Sequence, residues 1–308
     1  MNSGLFNKFK QTQPDAATGR TTVGIETADE DRKMSMELFA RLRDFIYEQC
    51  GIYFAESKKY LLEARLSRRL AALQIGSFKE YLRYASASVN TRTELPALFE
   101  AITINETYFF RNPPQFNALE TIILPELIEQ RRKKGQKTIR LWSAACSSGE
   151  EPYTMAMLIL EKIKPRYPDM KFEIVGNDIN AKVLQKARLG VYKEYSIRNM
   201  PRHYLLKYFS QDKDRYILNQ DVRDLVRFIS LNLYDARAMR SMINFDVIFC
   251  CNVLIYFDAK SKQQVISNLY NSLGEKSYLF IGYSESLHGI SKAFNLVHFP
   301  KTIAYKRE

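Results

Sequence analysis

The sequence is short of the residues on which much enzyme chemistry depends. Its 308 residues include only three histidines (His203, His288, His298) and four cysteines (Cys50, Cys146, Cys250, Cys251). No two cysteines form a C-x-x-C pair, and no Ser-His-Asp set or clustered metal-ligand pattern is legible, so no metal is expected. No apolar run approaches the length needed to cross a bilayer, so no membrane insertion is expected. The opening stretch MNSGLFNKFKQTQPDAATGR lacks the apolar h-region of a secretory signal. Three of the four cysteines fall in stretches that read as buried helix or strand, which suits a reducing, cytoplasmic compartment. No G-x-G-x-x-G follows a strand-like run, which disfavours a dinucleotide held by its pyrophosphate. Internal repeats and long low-complexity tracts are absent as well.

What is present is an ordinary globular composition, 46% hydrophobic and 26% charged, with a formal net charge of +12. That charge raises encounter rates with acidic partners without distinguishing nucleic acid, anionic lipid and acidic protein. Nothing besides the charge points to nucleic acid, and none is expected as a partner. The length allows one large or two modest domains. Residues 1–33 mix polar and small residues without apolar periodicity and read as a flexible tail. Residues 34–104 carry helical periodicity: Leu38, Leu42, Ile46 and Tyr47 recur on one face before Gly51. Further helices are expected over Lys58–Leu73, Phe78–Tyr84 and Thr91–Ile102. Residues 105–137 form a linker and a connecting helix, Gln115–Lys133, which Asn112-Pro113-Pro114 opens. From 138 to 308, strand-like runs at Ile139–Ala144, Phe172–Asn177, Val226–Ser230, Phe245–Cys250 and Tyr278–Tyr283 alternate with helices near Pro152–Lys164, Ala181–Arg188 and Ser261–Leu273. Such alternation predicts a doubly wound, Rossmann-like α/β sheet. Phe294–Phe299 and Thr302–Lys306 would add an edge hairpin. A Tyr-rich, charged stretch at about 190–223 interrupts the alternation and reads as an inserted β-subdomain.

The first strand runs into Ala144-Ala145-Cys146-Ser147-Ser148-Gly149-Glu150-Glu151-Pro152. Small residues there let the backbone approach a ligand at the carboxyl end of the sheet. The second strand ends at Asp178, whose carboxylate can accept both hydroxyls of a ribose from a strand tip adjacent to that turn. Asp178 alone reads equally well as a helix N-cap; together with the turn it favours a nucleoside without a pyrophosphate, and so S-adenosylmethionine. Asn232-Leu233 and Asn252-Val253 follow the third and fourth strands, with Tyr256 close behind. Ahead of the sheet, Asn105-Glu106-Thr107-Tyr108-Phe109-Phe110-Arg111 has the aromatics and polar flanks of a lid, and Arg111 can grip a carboxylate in bidentate fashion. Asn112-Pro113-Pro114 also looks like the N-P-P-aromatic motif of enzymes that methylate amino groups, but it precedes the first strand and is followed by Gln115.

In combination these stretches resemble the chemotaxis receptor protein-glutamate methyltransferases, the CheR family. The resemblance rests on NETYFFR at 105–111, LWSAACSSGEEPYTMAM at 141–157, GNDIN at 176–180, SLNLYD at 230–235, FDVIFCCNVLIYF at 245–257 and GYSESL at 282–287. It extends from about Met36 to Tyr305. It implies an S-adenosylmethionine-dependent methyltransferase, with cofactor contacts at Asn105, Thr107, Arg111, Glu151, Asp178, Asn232, Leu233, Asn252 and Val253, and Arg111 and Tyr256 lining the place of methyl transfer. S-adenosylhomocysteine would be the product. It implies as partner the acidic helical bundle of methyl-accepting receptors, met by Lys58, Lys59, Arg65, Arg68 and Arg69. Arg65, Arg68 and Arg69 share one helix face by their i, i+3, i+4 spacing. Cys251 stands where family members usually carry Arg, and Cys146-Ser147-Ser148 where Ala-Ser-Thr is common. Phe209–Tyr216 in the insertion is short and lacks glycine, unlike members that dock on a receptor's C-terminal peptide, so no such tether is expected. A glutamate side chain is ionised at neutral pH and needs no general base to attack a sulfonium methyl, in keeping with the shortage of histidine; alignment of the reactants then carries the rate, by roughly 7–11 kcal/mol in favourable cases. The alternatives are an RNA methyltransferase, favoured only by net charge, and a non-catalytic adaptor, against which the complete motif set argues.

Overall fold

The computed structural model describes residues 33–308; the tail expected over 1–33 lies outside them apart from its last residue. Four helices open the described chain: α1 (Met36–Cys50), α2 (Lys59–Leu73), α3 (Phe78–Ser86) and α4 (Ser88–Ile102). Ser35 caps α1 by accepting from the Leu38 amide, and Gly51 ends it in a left-handed conformation. Ser77 caps α3 by accepting from the Glu80 amide. The helices share a core of their own built on Phe39, Leu42, Ile46, Leu62, Leu66, Tyr81 and Leu98. α4 begins three residues earlier than periodicity suggests, at Ser88, and carries Pro96 inside it.

Pro113 starts α5 (Pro113–Ala118) directly after Asn112, as the Pro-Pro pair leads one to expect. A π-helical turn, Leu119–Ile123, joins it to α6 (Leu124–Lys133). The sheet follows in the order β6-β2-β1-β7-β8-β10-β9. Its strands are β1 (Thr138–Ala144), β2 (Lys171–Asp178), β6 (Val226–Ser230), β7 (Phe245–Cys250), β8 (Leu273–Ile281), β9 (Asn295–Phe299) and β10 (Thr302–Lys306). The first five are parallel, and β9 and β10 form the antiparallel hairpin at one edge. Helices α7 (Glu150–Leu158), α8 (Ala181–Leu189) and α9 (Ala259–Ser272) cover the sheet. Apolar clusters lie on both faces, one built on Leu141, Ile174, Val247 and Phe280, the other on Trp142, Val175, Ile248 and Leu279. Adjacent residues of each strand therefore point to opposite cores, as a doubly covered sheet requires. β8 starts earlier than its sequence pattern implies. Its pairing with β7 skips from Leu273 to Tyr278 and Lys276 has φ +57°, so only Tyr278–Ile281 reads as regular strand.

The insertion carries a second, antiparallel sheet in the order β3-β5-β4, made of β3 (Val191–Tyr192), β4 (Phe209–Asp212) and β5 (Arg215–Leu218). Between β1 and β7 the connections diverge to opposite sides of the sheet. In open α/β sheets, this crevice at the carboxyl ends is where ligands bind.

Candidate active site

A cavity of about 280 Å³ opens at that crevice. Its floor is made by the turns after β1, β2, β6 and β7, and its walls by the 102–111 linker and the Cys50–Arg65 side of the helical unit. Every residue expected to contact a cofactor lines it: Asn105, Thr107, Arg111, Glu151, Asp178, Asn232, Leu233, Asn252 and Val253. Tyr256, Lys58 and Arg65 line it too.

The floor is fixed by polar contacts between strand tips. Asn177, fully buried, accepts from the Trp142 indole Nε1 (2.8 Å) and donates to the Leu231 carbonyl (3.0 Å), tying β1, β2 and β6 together. The Asp178 carboxylate accepts from the Ser147 amide and the Asn180 amide, each at 2.9 Å. Burial raises its pKa and these amide bonds oppose the rise. The cap of α8 is Asn180, which accepts from Lys182 and Val183, and Asp178 is thereby left facing the cavity. Ala145 and Ser147 hold positive φ, +57° and +52°. The Cys146 and Ser147 amides go to Asn177 O and Asp178, so the turn is no phosphate cradle. Gly149 serves packing rather than ligand approach: at φ +92°, a Cβ there would lie 2.9 Å from Ala187 Cβ.

Glu151, in the first turn of α7, accepts from the Ser143 hydroxyl at 2.6 Å. Burial pushes its pKa up to about 7, while the Ser143 hydroxyl and the Arg111 charge pull the other way. Asn252 sits at φ +62°, and its Oδ1 is buried without a hydrogen-bond partner. A buried, unpartnered acceptor at a cavity wall calls for a donor from a ligand. Two carboxylates and this amide oxygen form an acceptor-rich lining, suited to a ligand that offers hydroxyl and amino groups.

The linker is organised differently from the lid read in the sequence. Phe109 and Phe110 are buried away from the cavity, packing on Tyr192 and Phe209 (centroids 4.8 and 5.3 Å) and on Tyr204 (4.7 Å). They anchor the linker to the insertion, and the Phe109 amide donates to Ser196 O. The cavity side is left to Asn105, Glu106, Thr107, Tyr108 and Arg111. Arg111 donates to Glu106 O at 3.0 Å and lies over the Tyr108 ring. Burial raises the Tyr256 pKa; the Arg111 and Arg65 charges oppose it, which puts all three in one electrostatic neighbourhood.

The helical unit closes the cavity through a seam. Ile52 bridges Phe257, the Tyr53 amide donates to Tyr256 O (3.0 Å), and the Tyr47 hydroxyl donates to Asp258 (3.0 Å). Asn232 belongs to this seam as well: its Nδ2 donates to Gln49 O (2.8 Å) and its Oδ1 accepts from the Tyr234 amide (3.0 Å).

The cationic face of α2 is split, against the sequence reading. Arg69 is consumed by Glu94, which is 1% exposed and also accepts from the Tyr81 hydroxyl at 2.8 Å. Arg65 turns inward to the Ile102 carbonyl, and Lys59 pairs with Glu63. Only Lys58 and Arg68 of the five are exposed. The reason is that i, i+3, i+4 spacing fixes direction around the helix but not which neighbouring helix packs there. Asn177 and Glu285 were missed as well. Both stand inside quoted motifs, GNDIN and GYSESL, yet only tertiary contacts reveal what they hold.

The description "CheR methyltransferase, SAM binding domain" matches residues 105–303, and "CheR methyltransferase, all-alpha domain" matches residues 37–103. The chain is 38% identical to Chemotaxis protein methyltransferase 2 of Vibrio cholerae, over 87% of this chain and 91% of that one. It is 39% identical to the chemotaxis protein methyltransferase of Borreliella burgdorferi, over 81% and 88% of the two chains. With the corresponding protein of Vibrio parahaemolyticus it shares 37% identity over 85% and 94%.

Proposed function

We propose that this chain, which belongs to the CheR methyltransferase family, methylates glutamate side chains of chemotaxis receptors. It is an S-adenosylmethionine-dependent chemotaxis protein methyltransferase; the receptor glutamate, the role in sensory adaptation and the residues that act are the proposal. One observation carries the reading of the site. The cavity joins an acceptor-rich floor (Asp178, Glu151 and the unpartnered Asn252 Oδ1) to walls that carry the cations Arg111, Arg65 and Lys58.

The residues present fit the cofactor. Asp178 would take the ribose hydroxyls on the lone pairs its two amide donors leave free. Asn252 Oδ1 would accept from an amino group, and Glu151 would face an ammonium. Leu233 and Val253, both buried, would flank the base. Asn232 has one N–H and one lone pair left after its seam contacts. Bound there, S-adenosylmethionine supplies an electrophilic methyl carbon on a positively charged sulfur. Arg111 would orient the acceptor carboxylate, which arrives ionised and needs no base. Tyr256, half-buried beside it, would exclude water and donate a hydrogen bond. The work of the site is alignment.

We place the receptor-facing surface on residues 34–104, at the exposed Lys58 and Arg68, and the protein in the cytoplasm. None of the four cysteines is bonded to another, which suits that compartment. No helix among the described residues is long and apolar enough to cross a membrane. The β4–β5 connection is a two-residue turn, Lys213-Asp214, which favours a member without a peptide tether.

The direct test is transfer of labelled methyl groups to receptor fragments. Label released as methanol in mild alkali marks a carboxyl ester. Label that resists alkali, or that appears on RNA instead, would overturn the substrate assignment.

A pH dependence follows from Glu151. Its folded pKa is raised to about 7, so below that pH the free protein holds a proton that an arriving ammonium must displace. Affinity for S-adenosylhomocysteine should climb with pH, by ~10-fold per unit below 7, and level off above it. Calorimetry in buffers of different ionisation enthalpy reads the released proton directly. The kcat should stay flat across the same range, because the acceptor needs no base. In Glu151→Gln the slope should vanish; its survival there would remove Glu151 from this role.

A further inference from the structure

We infer that Glu285 is a positioning residue for methyl transfer: it holds the loop after β7 in the shape that aims Asn252 into the cavity. Glu285 does not line the cavity itself. Its Oε2 accepts from the Asn252 amide (2.9 Å) and the Gly282 amide (2.6 Å), and its Oε1 from the Ile255 amide (3.2 Å). One carboxylate thus gathers three backbone donors from the chain leaving β7 and the chain leaving β8. Those segments are adjacent because β7 and β8 pair up to Cys250 and Ile281.

The grip matters because the loop departs from ordinary backbone. Asn252 holds φ +62°, a conformation an asparagine reaches at some cost and keeps only where its surroundings fix it. Its Oδ1 is left buried and unpartnered. Cys251, Val253, Ile255, Tyr256 and Phe257, on the same short segment, also line the cavity. Gly282 completes the arrangement. A Cβ there would lie 2.6 Å from Glu285 Oε2 and 2.8 Å from the Asn252 nitrogen, so the glycine makes room for the carboxylate under the loop.

The inference rests on the proposed contact between Asn252 and the cofactor, and the experiment separates the two. Titration calorimetry with S-adenosylhomocysteine is run on the full chain and on Asn252→Ala, Glu285→Gln, Gly282→Ala and Asn252→Ala/Glu285→Gln, with a thermal melt of each. Glutamine keeps the length of the side chain but offers one oxygen to three amides. Glu285→Gln should weaken binding ~10-fold while the melting transition stays cooperative and close to that of the parent. Gly282→Ala should reproduce the loss from the other side of the contact. The double variant should bind no more than ~2-fold worse than Asn252→Ala alone, because both act through one side chain. With saturating cofactor and receptor, Glu285→Gln should regain most of its kcat, so the defect lies in the cofactor KM.

If Asn252→Ala binds like the parent, the underlying assignment fails and the inference with it. If Asn252→Ala is impaired and Glu285→Gln is not, the inference alone fails. Additive losses in the double variant also overturn it, as does loss of a cooperative melt in both Glu285→Gln and Gly282→Ala, which would make the contact merely structural.

Discussion

Replacing Asp178 with alanine is expected to weaken S-adenosylhomocysteine binding ~100-fold or more, the largest effect of any single change in the cavity. The carboxylate is 4% exposed and already committed to the Ser147 and Asn180 amides. Its remaining lone pairs are the acceptors available to a ribose. Hydrogen bonds to a charged group contribute about 1.5–3 kcal/mol each, so two lost ribose contacts alone are enough to reach the stated factor. The alanine variant also leaves two buried amides without a partner at the tip of β2, which loosens the turn that forms the floor. Asp178→Asn should be milder for the fold and still poor at binding. It keeps the shape, but its NH₂ must face either an amide or a hydroxyl that previously donated. Calorimetry on both variants checks this, and alanine binding within threefold of the parent would show that the nucleoside sits elsewhere.

The second large effect is on stability. Arg69→Glu should destabilise the protein by roughly 3 kcal/mol, the lower end of the cost of breaking a buried pair, because the Arg69 side chain keeps 23% of its exposure. The substitution sets two carboxylates against each other where Glu94, 1% exposed, also holds the Tyr81 hydroxyl. This triad ties α2, α3 and α4 together at the centre of the helical unit. Arg68→Glu, one residue away and exposed, should change stability by less than ~0.5 kcal/mol. It should instead raise the KM for receptor without altering cofactor binding. Urea denaturation and receptor kinetics on the pair separate a docking charge from a folding charge. An Arg69→Glu protein as stable as the parent would contradict the buried pair.

These two positions also show where sequence reading reached its limit. Asp178 can be singled out because the role proposed for it follows from local order: a strand ends, an acid follows, a helix begins, and the neighbouring strand closes in a turn of small residues. The helical period puts Arg69 on one side with Arg65 and Arg68. The period does not say that α4 returns Glu94, 25 residues later, to that side. The tyrosine and arginine assigned to the acceptor do line the cavity, whereas the aromatics Phe109 and Phe110 turned out to be anchors in the core.

The sequence by itself determined the element types, their alternation and the identity of the turns, because hydrophobic period, caps and turn residues act over a few residues. β6, β7 and β10 run between the very residues their patterns mark. Only the tertiary structure decided how distant polar groups were shared out. Asn177 joins three strand tips, Asn232 was taken by the helical unit, and Glu285 was placed under the Asn252 loop. Each of those outcomes depends on which strands become neighbours, and buried donors and acceptors take whatever partner that adjacency brings within reach.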